Sequence, residues 1–166
     1  MNKETVSAPV RGIPSSSPHW SRELVLAPDD RLASETQSDN SERILIVEDD
    51  LLVATEMEAT LCDAGFVVVG IATTGKEALQ LARTECPILA VMDIRIAGDR
   101  DGIDTAFELF RSQGIRCIFA SAHSDHDSRL RAQPAAPLGW LQKPYTMASL
   151  TEMVRGAVGE LRGRPG

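Results

Sequence analysis

The apolar run Ile88-Leu89-Ala90-Val91-Met92 ends abruptly in a carboxylate, Asp93, and the other short apolar runs of this 166-residue chain also end in side chains capable of chemistry. Glu48, Asp49 and Asp50 follow Ile44 to Val47, Ser121 follows Cys117 to Ala120, and Lys143 follows Gly139 to Gln142. Runs of strand length that are apolar throughout suit strands buried on both faces of a parallel sheet. In such sheets the working site lies beyond the carboxyl ends of the strands, so these residues would converge on one edge. Crowded carboxylates raise one another's pKa unless a cation neutralises them. A hard divalent ion, Mg²⁺ above all, takes oxygen ligands and keeps several waters, leaving room for a phosphoryl group. Asp93 would then be the nucleophile, forming an acyl phosphate, while the Lys143 ammonium and the Ser121 hydroxyl hold phosphoryl oxygens. The plainer reading of Asp93 taken alone is an aspartate that caps the turn after it.

Alternation of apolar runs with helical segments from Arg43 onward is the pattern of βα units around a parallel sheet. The first helix places Val53, Met57, Leu61 and Ala64 on one face and stops at Gly65. Phe66 to Val69 is the second strand, and Thr74 with Glu77 has capping-box spacing for the second helix, which continues through Ala78, Leu79, Leu81 and Ala82. After a loop rich in Gly and Asp, the third helix starts near Asp101 with Ile103, Ala106, Phe107 and Phe110 at helical spacing, and ends at Gly114. Cys117 to Ala120 is strand four, Asp125 to Arg131 a short fourth helix, and Gly139 to Gln142 strand five. The last helix runs from about Met147 to Leu161, weakened by Gly156 and Gly159. Five such units fill residues 43–162 once, with 163–166 as a tail, and leave no stretch for an output module.

Residues 1–42 carry four prolines and many serines with little periodicity. They are expected to form a disordered or weakly ordered extension, the strip Trp20 to Ala27 being the one candidate for docking. A net charge of -7 with no cluster of Lys and Arg argues against nucleic-acid and anionic-membrane partners. No apolar segment reaches bilayer length and the N-terminus lacks a signal-peptide core, so a cytoplasmic protein is expected. Cys62, Cys86 and Cys117 are odd in number and widely spaced, and read as buried small hydrophobes or inert thiols.

Ile44-Leu45-Ile46-Val47-Glu48-Asp49-Asp50, Val91-Met92-Asp93, Phe119-Ala120-Ser121-Ala122 and Lys143-Pro144-Tyr145 together resemble the signature set of the response-regulator receiver domain. The resemblance runs from about Arg43 to Leu161 and implies a flavodoxin-like doubly wound sheet in strand order 2-1-3-4-5. It implies Asp93 as phospho-acceptor, Glu48, Asp49 and Asp93 as Mg²⁺ ligands helped by the Arg95 backbone carbonyl, Ser121 as switch hydroxyl, and Lys143 as phosphate-binding lysine. Asp50 reads instead as the start of the first helix. Trp140 stands where this family places a rotating aromatic switch residue. Arg95 and His123, each two residues past a site residue, stand where the family tunes phosphoryl lifetime. The implied role is a stand-alone response regulator of a phosphorelay, not an enzyme. Its partners would be a sensor histidine kinase or histidine phosphotransfer protein, a downstream protein target and, as often in the family, a second copy in a homodimer. Two departures stand out: the loop Ile94 to Gly102 lacks the proline common after the acceptor, and Trp140 is bulkier than the usual Tyr or Phe.

Three rival readings and one possible metal pair compete with this one. Gly70 to Glu77 nearly spells a P-loop, but Glu77 stands where a metal-binding hydroxyl is needed. A dehalogenase-like phosphatase would need a second Asp where this chain has Arg95. His123 and His126 are three apart but lack further ligands for a metal. A receiver-like scaffold that is never phosphorylated is the third alternative.

Overall fold

The computed structural model describes residues 42–122 and 126–163. The expected extension, apart from Glu42, and the candidate His123 lie outside the described residues. Five strands, β1 (Arg43–Val47), β2 (Val67–Ala72), β3 (Leu89–Met92), β4 (Arg116–Ser121) and β5 (Gly139–Gln142), form one parallel sheet in the order β2-β1-β3-β4-β5. Helices α1 (Leu51–Asp63), α2 (Gly75–Glu85), α3 (Gly102–Gln113), α4 (His126–Ala132) and α5 (Met147–Gly163) alternate with them, and a 3-10 turn, Gln133–Ala135, follows α4. This is the flavodoxin-like doubly wound fold that the receiver resemblance implies.

The central strands β1, β3 and β4 are apolar through their interiors because both faces are covered. Leu45, Val47, Ala90, Met92, Cys117 and Phe119 point into one core with Ala78 and Ala82 of α2 and Ile103, Ala106 and Leu109 of α3. Ile44, Ile46, Leu89, Val91, Ile118 and Ala120 point into the other, against Met57 and Leu61 of α1 and Leu150 and Val154 of α5. Successive residues of a strand thus serve opposite layers, which is why no polar alternation marks them.

Capping sets where each helix begins. Asp50 caps α1, its Oδ1 accepting from the amides of Leu52 at 3.0 Å and Val53 at 3.3 Å. Thr74 caps α2 through the Glu77 amide at 3.2 Å, and the Glu77 carboxylate reaches back to the amide and hydroxyl of Thr73, both at 2.8 Å. The return bond therefore falls on Thr73, one residue before the box partner that the spacing predicts. Those backbone and hydroxyl bonds hold the Glu77 carboxyl below its ordinary value of 4.5. Its contribution should be present above that pH and fade as the pH falls below it. Thr74→Ala should cost about 1 kcal/mol, read as a lower urea midpoint with unchanged slope.

Several elements differ from the sequence reading. Phe107 is 42% exposed, and Thr105 and Leu109 take its expected place inside α3. Strand β2 starts one residue later and runs three residues further than Phe66 to Val69, and β4 gains a residue at each end. Gly156 and Gly159 sit on the exposed side of an uninterrupted α5. Cys117 is buried, but Cys62 and Cys86 are exposed, so only one cysteine is a core residue.

Candidate functional site

Backbone bonds between strands fix the two inner carboxylates. The Glu48 amide donates to the Ala72 carbonyl at 3.0 Å, and the Asp93 amide to the Val47 carbonyl at 2.9 Å. Both residues thus extend the sheet by one step, side by side at its carboxyl edge. Lys143, held by its own amide to the Ser121 carbonyl at 3.1 Å, brings its ammonium between them. Nζ lies 2.5 Å from Glu48 Oε2 and 2.7 Å from Asp93 Oδ2. The Lys143–Pro144 peptide bond after it is cis.

Burial makes this group unusual. Glu48 is 3% and Asp93 8% exposed, whereas surface pairs would be open to water. Desolvation pulls the Lys143 pKa down, but the bonds to Asp93 and Glu48 together outweigh it, so the ammonium titrates above its ordinary value. Glu48 goes the other way despite the same bond: burial raises its pKa, and Lys143 only partly offsets this. The cluster therefore has an excess of buried negative charge that one lysine does not cancel.

The other oxygen of Asp93 accepts from the Arg95 amide at 3.1 Å, so the plain turn-capping role and the bond to Lys143 coexist in one carboxylate. Ser121 is buried at the end of β4, while Asp49 and the Arg95 side chain are exposed at the rim. Glu48, Asp93 and Lys143 are therefore in direct contact, Ser121 is joined to them through the Lys143 backbone, and Asp49 and Arg95 border the group by chain position. Among the described residues, no set of three acidic, histidine or cysteine side chains already converges at metal-ligand distance. The donor chemistry nevertheless fits a hard cation, since Glu48, Asp49 and Asp93 offer carboxylate oxygens at one sheet edge. The point shared by the Glu48 and Asp93 oxygens is filled by the Lys143 ammonium, which would have to withdraw for a cation to take it.

Trp140 lies on β5 opposite Phe119 of β4, with ring centroids 4.7 Å apart and planes inclined by 27°. The Arg129 guanidinium of α4 covers it at 5.0 Å from the ring centroid. Arg131 reaches from the same helix to Asp101 Oδ2 at 2.8 Å, while Asp101 Oδ1 caps α3 through the Asp104 amide at 2.9 Å. The loop after Asp93 is bound to the fold by a parallel bridge between Ala97 and Thr74, and Gly98 takes φ +102°, a conformation open to glycine. Arg129, Arg131 and Gly102 were not singled out by sequence. The Asp-Gly pair at the start of α3 was the available signal for Gly102, while nothing in the sequence marked the two arginines.

A parallel sheet in order 2-1-3-4-5, with a carboxylate and a lysine facing each other beyond β3 and β5, defines an α/β receiver-type fold. The family described as response regulator receiver domain matches residues 44–155, and the chain belongs to it. The transcriptional regulatory protein PdtaR of Mycobacterium tuberculosis is 33% identical over 120 residues, covering 72% of this chain and 58% of that protein. The phyllosphere-induced regulator PhyR of Methylorubrum extorquens is 28% identical over 130 residues, covering 78% of this chain and 48% of that one. The chain thus spans about half the length of these curated relatives. The signal receiver domain of a modulated diguanylate cyclase from Desulfovibrio desulfuricans superposes with a TM-score of 0.67 at 31% identity, covering 72% of this chain and 95% of that one. Among the described residues, no helix is long and apolar enough to cross a membrane.

Proposed function

We propose that this receiver takes a phosphoryl group onto Asp93 from a histidine kinase or histidine phosphotransfer protein and signals through contacts with a downstream protein. The observation that carries this reading is the pair of buried carboxylates sharing one ammonium at 2.5 and 2.7 Å. An Asp93 oxygen attacks phosphorus, the bond between phosphorus and the donor nitrogen breaks, and the donor keeps that electron pair. Lys143 moves from carboxylate to phosphoryl oxygen as a point charge, and the Ser121 hydroxyl donates to another. Glu48, Asp49, Asp93 and the Arg95 carbonyl are the groups that would hold Mg²⁺. When bound, the ion neutralises the charge that builds between the carboxylates and the incoming group. Leu51 and Leu52, 61% and 84% exposed at the start of α1, offer apolar surface beside the acceptor, which suits a protein donor.

The switch is expected to pass through Ser121 and Trp140. Drawing the hydroxyl toward a phosphoryl oxygen opens space near the β4 end, and the indole can then leave its place between Phe119 and Arg129. In a Trp20→Phe background, acetyl phosphate with Mg²⁺ should change Trp140 emission beyond the change caused by Mg²⁺ alone, and the change should decay with the acyl phosphate. Asp93→Asn should keep the first response and lose the second. Emission indifferent to complete phosphorylation would make Trp140 a fixed packing residue. Arg95, exposed beside the acceptor, and His123 are proposed to set the path of hydrolytic water. Changing either should alter the decay of the phosphorylated form several-fold while leaving the thermal midpoint in place.

A further inference from the structure

A cleft of about 740 Å³ lies away from the acceptor, between α2 and the loop that joins β3 to α3. Lys76, Leu79 and Arg83 lie on one stripe of α2, at spacings of three, four and seven, and Asp99 and Arg100 form the facing wall. Five other arginines are paired, Arg43 with Glu85, Arg111 with Glu108, Arg116 with Glu160, Arg131 with Asp101 and Arg162 with Glu42, whereas the exposed Arg95 and Arg155 have no ion pair among the described residues. Lys76, Arg83 and Arg100 have no hydrogen-bond or ion-pair partner among the described residues. Three cations against the single carboxylate of Asp99 give the cleft a positive excess, on a chain whose net charge is -7. The volume is that of small-molecule sites, which run to roughly 300–1,000 Å³. Leu79 gives it an apolar floor between Lys76 and Arg83, whose positions are separated by about 10 Å along the helix.

We propose that this cleft binds a small phosphate-bearing molecule, its anionic groups held by Lys76, Arg83 and Arg100 and its body lying on Leu79. The proposal is independent of phosphorylation at Asp93. It shares Thr74, Gly75 and Lys76 with the near P-loop of Gly70 to Glu77 but takes its other cations, Arg83 and Arg100, from outside that segment, and the Glu77 carboxylate is turned back onto Thr73 and does not line the cleft. The wall that carries Arg100 belongs to the loop leading out of Asp93, anchored through Ala97 to Thr74 at the mouth of the same cleft. A bound molecule would therefore touch the segment on which the acceptor depends.

The test is titration of the isotope-labelled full chain with ATP, pyrophosphate and adenosine in magnesium-free buffer, followed by amide spectra. ATP, pyrophosphate or both should shift amides of residues 75–84 and 98–101 with a dissociation constant of about 1 mM or tighter, and adenosine should not. Saturation by ATP alone would mean that the body is needed, and saturation by both that phosphate suffices; either supports the proposal. The double variant Lys76→Ala/Arg83→Ala should weaken binding on the order of 10-fold or more, while Arg111→Ala, on the neighbouring helix, should not. The proposal is overturned if no saturable shift is seen up to about 10 mM, if the double variant binds as well as the parent, or if the shifts centre on Glu48, Asp93 and Lys143.

Discussion

Incubated with Mg²⁺ and acetyl phosphate, the protein should gain one hydroxylamine-labile phosphoryl group, and Asp93→Asn should gain none. An ionised carboxylate is a nucleophile and a neutral amide of the same shape is not, so the substitution removes the reacting atom while sparing the fold. The strongest competing acceptor is Glu48, which bonds the same lysine at 2.5 Å. At 3% exposure it is less open to an incoming donor than Asp93 at 8%. Mass mapping of the labelled chain separates the two. Label on Glu48, full labelling of Asp93→Asn, or labelling that needs no divalent metal would falsify the assignment.

A second large effect is expected from Gly102→Ala. A β-carbon at Gly102 would overlap the carbonyl oxygen of Asp93 and crowd the carbonyl carbon of Asp93 and the Ile94 Cα at 2.8 and 2.9 Å. Those obstacles are backbone, which has no rotamer to turn away, and the Gly102 amide already holds the Ile94 carbonyl at 2.8 Å. Either α3 or the acceptor must give. The expected cost is about 1–3 kcal/mol in equilibrium urea unfolding. A displacement of about 1 Å at the acceptor would slow phosphoryl uptake on the order of 100-fold. Gly156→Ala is the control, since nothing lies within 4 Å of its would-be β-carbon; inside α5 it should be neutral or slightly stabilising. A Gly102→Ala protein with the parent's midpoint and labelling rate would show that the loop has slack.

Two strand ends were legible because charge interrupts apolarity there: a Glu after Ile44 to Val47 and an Asp after Leu89 to Met92, four buried residues each, are visible without coordinates. Lys143, by contrast, follows a strand with one buried residue and an exposed Gln142. Sheet order came from the resemblance alone, since the runs indicate a parallel sheet without ordering its strands. The inward face of α3 was not legible. Phe107 fits the helical stripe as well as Leu109 does, and Thr105 looks like a surface residue. Inside the fold, however, the Thr105 hydroxyl donates to the Asp101 carbonyl at 2.8 Å and so can be buried, which turns the helix and puts Phe107 outside. The need for glycine at position 102 is equally invisible in sequence. It comes from the approach of a carbonyl nine residues away, not from a turn angle. Asp49 and Arg95 were placed by resemblance, and their side chains stand at the rim, where no bond in the described structure ties them to the buried pair.

Asp101 divides its two oxygens between starting α3 and holding Arg131 of α4. That ion pair is exposed, as is most of α4, and an exposed pair contributes on the order of 0–1 kcal/mol. Substitutions at Arg131 can therefore be fixed or lost by drift with little penalty to stability, while Asp101 itself is constrained by the helix it starts. Over evolutionary time the chemistry at Asp93 and the posture of α4 can be inherited separately. Descendants of one ancestor could keep the same acceptor and differ in how readily the fourth helix lets go.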